Sequence, residues 1–310
     1  MFSATVITDS IGVNAPRLTS MELVYPRFIH SEFMTHRVFS RNASSSRAIP
    51  VGKMIEAIRA NPAMPAEWRM NEPGMQGWTK ASAEVEEKLV QIWLGAMGDA
   101  IRRAEQMLEL NAHKQHINRV LEPFQHIRVV LTATDWMNFD MLRDHPDADP
   151  SIQALAKVMI AARAASTPKQ LLIGEWHLPY ILPEDDDRIR DFVYSGGDHL
   201  IGVSLPKNTD ARILEVKKLV STARCARVSY RTHAGEVTDI VKDIKLARKL
   251  IGSQPIHASP AEHQASPDGW LTTGKRWLYP ELHGNLRGWK QHRKFLPHEN
   301  LQTFDLSLAA

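Results

Sequence analysis

Apolar residues recur at three- and four-residue spacing from Val85 to Leu108, through Leu89, Ile92, Trp93, Met97, Ile101 and Ala104. Glu87, Lys88, Arg102 and Arg103 fill positions between them. That period is helical and predicts an amphipathic helix over 81–110, the strongest in the chain. A second helical region is expected over 113–143, broken at Pro123, because proline lacks the amide a helix interior needs. His145-Pro146-Asp147 ends it, and an alanine-rich helix resumes over 150–165. Further helices are expected over about 208–224 and 236–252. Earlier, Leu23-Val24-Tyr25 and Phe28-Ile29 predict that 17–34 is a strand running into a short helix. Residues 61–78 hold Pro62, Pro65, Pro73, Gly74 and Gly77 and predict an irregular connection. The stretch 174–210 also reads as irregular. Strand signals are sparse, so helices dominate the expected fold.

One stretch fits neither period. Thr35-His36-Arg37-Val38-Phe39-Ser40-Arg41-Asn42-Ala43-Ser44-Ser45-Ser46-Arg47 is dense in donors and offers little to bury. Guanidinium forks and serine hydroxyls suit phosphate oxygens, which points to an anion-binding loop for a nucleotide. A solvated serine-rich surface loop is the plain alternative.

Composition narrows the class without naming the chemistry. With 43% hydrophobic and 24% charged residues the chain is ordinary for a globular protein. A formal charge of +3 and no long basic block do not announce a nucleic-acid binder. The single cysteine, Cys225, excludes an intrachain disulfide and suggests no oxidising compartment. Its thiol is either a nucleophile or an inert buried group at a helix end. The opening MFSATVITDSIGVNAP lacks a signal-peptide pattern. No apolar run approaches the roughly 20 residues of a membrane span, so a cytosolic location is expected. The acidic run Glu184-Asp185-Asp186-Asp187 suits either a divalent cation or a solvated turn. His257 and His263 flank Glu262, but six-residue spacing across Pro260 is not the zinc-helix pattern, so no metal is expected.

The loop resembles the signature of the flavin-dependent thymidylate synthases, carried here by His36-Arg37, Ser40, Asn42, Ser45 and Arg47 in that family's spacing. A second block, Asn118-Arg119-Val120-Leu121-Glu122-Pro123 followed by Met137-Asn138-Phe139 and Leu142-Arg143, resembles its substrate arginines and flavin-contacting asparagine. A third, Ala226-Arg227-Val228-Ser229-Tyr230 with His257-Ala258-Ser259-Pro260-Ala261-Glu262-His263, resembles two motifs that in the family precede the loop; here they follow it. This order implies circular permutation, which is tolerated where chain ends lie close at the surface. Duplication is the rival, since Trp289-Lys290-Gln291-His292-Arg293 echoes the run before Ser40. The resemblance leaves 51–112 and 165–220 largely unassigned. It implies an α+β fold, helix-rich with a small sheet. Segment 1–165 would carry the loop and substrate arginines, and 166–310 the family's usual N-terminal motifs, within one catalytic unit.

The implied activity moves a one-carbon unit from methylenetetrahydrofolate to C5 of dUMP, giving dTMP, with FAD reduced by NADPH as hydride source. Substrate contacts would be Glu32, Ser45, Ser46, Arg47, Arg119 and Arg143, the last stabilising negative charge on the uracil ring. Flavin contacts would be Thr35, His36, Arg37, Asn42, Asn138, His257 and Ser259. The family works as a homotetramer with sites between chains. This chain departs from it at Glu32 (commonly glutamine), Thr35 (arginine), Ala43 (glutamate) and Ala48 (tyrosine). Arg287, Gln291 and Arg293 are candidates to compensate. The departures leave hydroxymethylation open, water rather than hydride capturing the adduct, on dUMP or on dCMP, whose exocyclic amine a carboxylate accepts. A different class is a non-catalytic nucleotide- or RNA-binding protein that kept the loop, colourless where a flavoenzyme is yellow. A helical scaffold with an incidental Ser/Arg loop leaves the three blocks unexplained.

Overall fold

A computed structural model describes residues 1–197, 206–228, 238–297 and 299–300, so Ser229 and Tyr230 of the third block lie outside the described residues. Its centre is a five-stranded sheet of β1 (Ser3–Gly12), β2 (Leu18–Pro26), β3 (Ser40–Ala43), β4 (His126–Ala133) and β5 (Lys169–Leu171), ordered β3-β4-β2-β1-β5. All neighbours run antiparallel except β1 and β5.

The expected strand entering a short helix is present: β2 leads through a turn into α1 (His30–Phe33). Beyond the loop, α2 (Val51–Ala60), α3 (Ala83–Glu109) and α4 (Lys114–Val120) share a core of Met54, Ile55, Ile58, Ile101, Ala104, Ile117 and Leu121. Residues 61–78 are irregular as expected, apart from a bridge of Arg69 to Lys80. Then come α5 (Met137–Arg143) and α6 (Pro150–Ala165).

The helical expectation for 113–143 needs correction, because its middle is β4. This strand is central, paired on both edges and covered on both faces. Val129, Val130 and Leu131 are therefore all buried, and such a run has no alternation to separate it from a helix. β1 was likewise not anticipated. Within 174–210, α7 (Pro183–Tyr194) replaces irregular structure. It buries few apolar side chains, Ile189 and Val193, so its period is faint. Glu184, Asp185 and Asp186 of the acidic run lie in its first turn, where carboxylates suit the helix dipole. α8 (Thr209–Arg227) and α9 (Ile240–Ile251) complete a second core through Ile213, Val216, Val220, Ile244 and Ala247. No helix among the described residues is long and apolar enough to cross a membrane.

The two faces of the sheet differ in chemistry. Met21, Leu23, Tyr25, Val129 and Leu131 point one way and pack on Phe139, Ile152, Leu155 and Met159 of α5 and α6. Alternation puts Leu18, Ser20, Asn42, Val130 and Thr132 on the other face, which α8 and the turn Ser259–Glu262 cover. The C-terminal half thus closes over the polar side of the sheet, beside the loop.

Candidate nucleotide and flavin site

The loop is built between α1 and α2 and closes on itself through Arg41. The Arg41 guanidinium donates to the carbonyls of Phe33 (3.3 Å), Met34 (3.1 Å) and His36 (2.8 Å). One loop arginine is therefore structural.

Arg143 closes the loop from the end of α5. Its Nε donates to His36 Nε2 at 2.9 Å, one Nη donates to the Glu32 carboxylate, and the other approaches Thr35 Oγ1 at 3.4 Å. Arg163 holds α5 in place by bonding Asp140 at 2.6 Å. The His36 ring is buried, edge-on to Phe139 at 4.8 Å. Burial, with the Arg143 and Arg41 charges adding, lowers its proton affinity, so a neutral imidazole accepts from Arg143. Glu32 is moved the other way: burial raises its pKa, Arg143 opposes this and Asp149 adds to it. Glu32 and Arg143 line a cleft of about 420 Å³ whose far wall includes Glu67, Arg69 and Gly77. The breaker-rich connection is thus part of a site wall.

The serine end of the loop hangs on Asn118. This fully buried amide donates to the carbonyls of Ser46 (2.7 Å) and Ile49 (3.0 Å), and Gln125 bonds its own carbonyl at 2.8 Å. Ser46 is buried, whereas Ser45, Arg47 and the adjacent Arg119 are exposed. The guanidinium groups of Arg37, Arg47 and Arg119 have no hydrogen-bond or ion-pair partner among the described residues. Unlike Arg41 and Arg143, they stand open to an anion.

Asn42 joins the loop to the third block, meeting Ser259 Oγ at 3.3 Å and His263 Nε2 at 3.1 Å. Asn285 donates to Ser40 Oγ (3.0 Å) and the Val38 carbonyl (2.8 Å), and Gln291 reaches Ser40 at 3.4 Å. Of the three compensating candidates, Gln291 alone is shown bonded to the loop. Arg287 pairs with Asp135, and Arg293 with Glu262 and Glu299. His257 and Asn138 are exposed and make no hydrogen bond to the loop among the described residues. Asn285 was not singled out from sequence, and His263 was weighed there only as a metal ligand beside His257 and as the end of the third block. Cys225 is fully buried, 3.5 Å from Gln264 Nε2, and burial pushes its thiol far up, so it is no nucleophile. In the acidic run, Asp185 is taken up by Arg224 rather than offered to a cation.

Residues 19–169 match the family model described as thymidylate synthase complementing protein. Among solved structures, the chain is similar to the UMP/dUMP methylase PolB from Streptomyces cacaoi bound with 5-Br UMP. Identity is 19% and the TM-score 0.45, over 53% of this chain and 89% of that one. The same methylase with 5-Br dUMP gives 22% and 0.41, over 48% and 67%. No curated protein matches the chain. The family match runs unbroken from β2 through the loop and the Asn118 staple to Arg143 and α6, so residues 19–169 are similar to the thymidylate synthase complementing proteins, the flavin-dependent thymidylate synthases.

Proposed function

We propose that the protein transfers a one-carbon unit from methylenetetrahydrofolate to C5 of dUMP, with FAD and NADPH supplying the hydride. The observation that carries this reading is Arg143, aimed into a cleft by His36 and Glu32 beside a loop whose Arg37 and Arg47 stand unpaired among the described residues. Arg47 and Ser45 hold the 5′-phosphate, with Arg119 closing on the nucleotide. Arg143 stabilises charge that grows on the pyrimidine ring, an effect worth about 10²–10³ in rate for one preorganised donor. The donor set fits a flavin: exposed Arg37 for its phosphates, and Asn42 and Ser259 for polar ring edges. Thr35, His36, Asn138 and His257 complete that assignment. When bound, FAD supplies the redox step, while the chain supplies orientation and charge.

The third block, packed on the loop though late in the chain, supports a circularly permuted order in which 1–165 and 166–310 form one catalytic unit. A homo-oligomer with shared sites, located in the cytoplasm, belongs to the same reading.

Glu32 favours a second reading. As a carboxylate it accepts from the exocyclic amine of cytosine; protonated, it donates to O4 of uracil. Hydroxymethylation of dUMP or dCMP is therefore the alternative outcome of the same site. The test is mass spectrometry of nucleotide products after incubation with FAD, NADPH, methylenetetrahydrofolate and dUMP or dCMP. Methylated dUMP is expected. A hydroxymethylated base selects the second reading. No product from either base, with nucleotide still bound by a colourless protein, leaves only a nucleotide-binding role.

A further inference from the structure

A line of buried polar side chains crosses the sheet beneath the loop. Asn42 meets His263 Nε2 at 3.1 Å, and His263 Nδ1 meets Thr132 Oγ1 at 2.8 Å. Thr132 bonds Ser20, directly opposite it on β2. Ser20 Oγ meets His177 Nε2 at 2.8 Å, and His177 Nδ1 meets Ser10 Oγ at 2.9 Å. Both histidines, Ser20 and Thr132 are fully buried, and Ser10 is 2% exposed. The far end, Ser10, lines a separate cleft of about 480 Å³.

Every link is shared between groups that both donate and accept, so the direction of one bond dictates the next. A neutral imidazole has one donor and one acceptor nitrogen, and a hydroxyl has one proton. The Asn42 amide decides the direction. With its nitrogen toward His263, it donates to Ser259 O (3.1 Å), Arg41 O (3.2 Å) and His263 Nε2 (3.1 Å), while its oxygen accepts from Ser259 Oγ (3.3 Å). Turned over, that nitrogen loses both carbonyls. The first arrangement makes His263 Nε2 an acceptor and Nδ1 a donor. The proton order then runs through Thr132 and Ser20 into His177 Nε2, and His177 Nδ1–H donates to Ser10.

We propose that Ser10, His177, Ser20, Thr132 and His263 are positioning residues for Asn42, a one-directional hydrogen-bond chain that holds its amide in the orientation the ligand meets. Burial keeps both histidines neutral, with pKa values near 3, as such a chain requires. Calling Asn42 a ligand contact rests on the proposed function; the proton order does not. The experiment is ¹⁵N NMR of the histidine side chains in the full chain without ligand, together with FAD titration. Both His177 and His263 are expected as the Nδ1–H tautomer. Thr132→Val is expected to shift the His263 and Asn42 side-chain resonances and to weaken FAD binding about tenfold, the worth of one hydrogen bond. Thr132→Ser is expected to restore both. An Nε2–H tautomer at either histidine in the unmodified chain overturns the proposal, even if no variant folds. Unchanged Asn42 resonances in a folded Thr132→Val protein also overturn it. Failure of the unmodified protein to bind FAD counts against the proposed function instead, and leaves the tautomer result to decide the chain.

Discussion

Arg143 and Arg41 show how two guanidinium groups in one site take different tasks. Arg41 is spent on three carbonyls of its own loop, so its removal would collapse the loop. Arg143 is held by a histidine nitrogen and a carboxylate on one side and faces a cleft on the other. Lysine cannot copy this fork, because one ammonium cannot satisfy His36 and Glu32 and still present a planar donor face. Arg143→Lys is therefore expected to lower kcat by about 10²-fold with little change in melting temperature. Steady-state kinetics beside a thermal melt check this, and full activity in the variant would remove Arg143 from the chemistry. The arginines, histidine and serines of the loop were legible as residue types. Their division into structural and open groups was not, because it depends on which carbonyls and carboxylates the fold brings near.

At the scale of elements, α8 is anchored by a charge placed where no solvent reaches. Arg224 is fully buried and donates to Asp185 at the start of α7, to Asp243 in α9 (3.1 Å) and to the Tyr180 carbonyl (2.7 Å). Burial works against ionisation of Asp185. Hydrogen bonds from Arg224 and the Leu182 amide, then the charges of Arg224 and Arg188, outweigh it and hold the carboxyl below its usual range. Removing one partner of such a network strands the others, at about 3–5 kcal/mol. Arg224→Met is expected to lose stability of that order by urea denaturation; a loss under about 1 kcal/mol would contradict the network's role. The Asp185 contribution has a definite sign. It is present above the unfolded carboxylate pKa of about 3.9 and disappears as pH falls through the lower folded value.

Across the whole molecule, buried histidines set the response to acid. Burial holds His177, His263 and His292 near pKa 3, with lesser charge effects at His177 and His292. In the unfolded chain they titrate at about 6.5, so below that pH the unfolded state binds protons the folded state refuses. Stability is therefore full above about pH 6.5 and falls as pH drops toward 3, by up to about 1.4 kcal/mol per unit for each histidine. Melting temperature is expected to decline steadily from pH 7.5 to 5.0; a flat profile would show that these rings are accessible to protons. The long helix α3 gives a second expectation at this scale. Only Ile101 and Ala104 in it are buried, whereas Ile92 is 69% and Leu108 49% exposed. Covering Ile92, on the side of α3 away from Ile101 and Ala104, with another copy removes apolar area from water. Light scattering is expected to return a multiple of 35.0 kDa, and a monomer at micromolar concentration would count against a shared site.

The sequence by itself determined the parts that obey a local rule. The 3.6-residue period marked α3, alanine content marked α6, helices were expected where α8 and α9 lie, the breakers marked 61–78, and the density of donors marked the loop from Thr35 to Arg47. It did not reveal β4, whose burial on both faces erases the alternation that identifies a strand, nor α7, which buries too few residues to show a period. The tertiary structure alone decided that Asn42 meets His263, 221 positions away, and that Asn118 carries the serine turn. Periodicity records how one element meets solvent and core. Which donor faces which acceptor is set by packing between elements, and distant contacts of that kind leave no local trace.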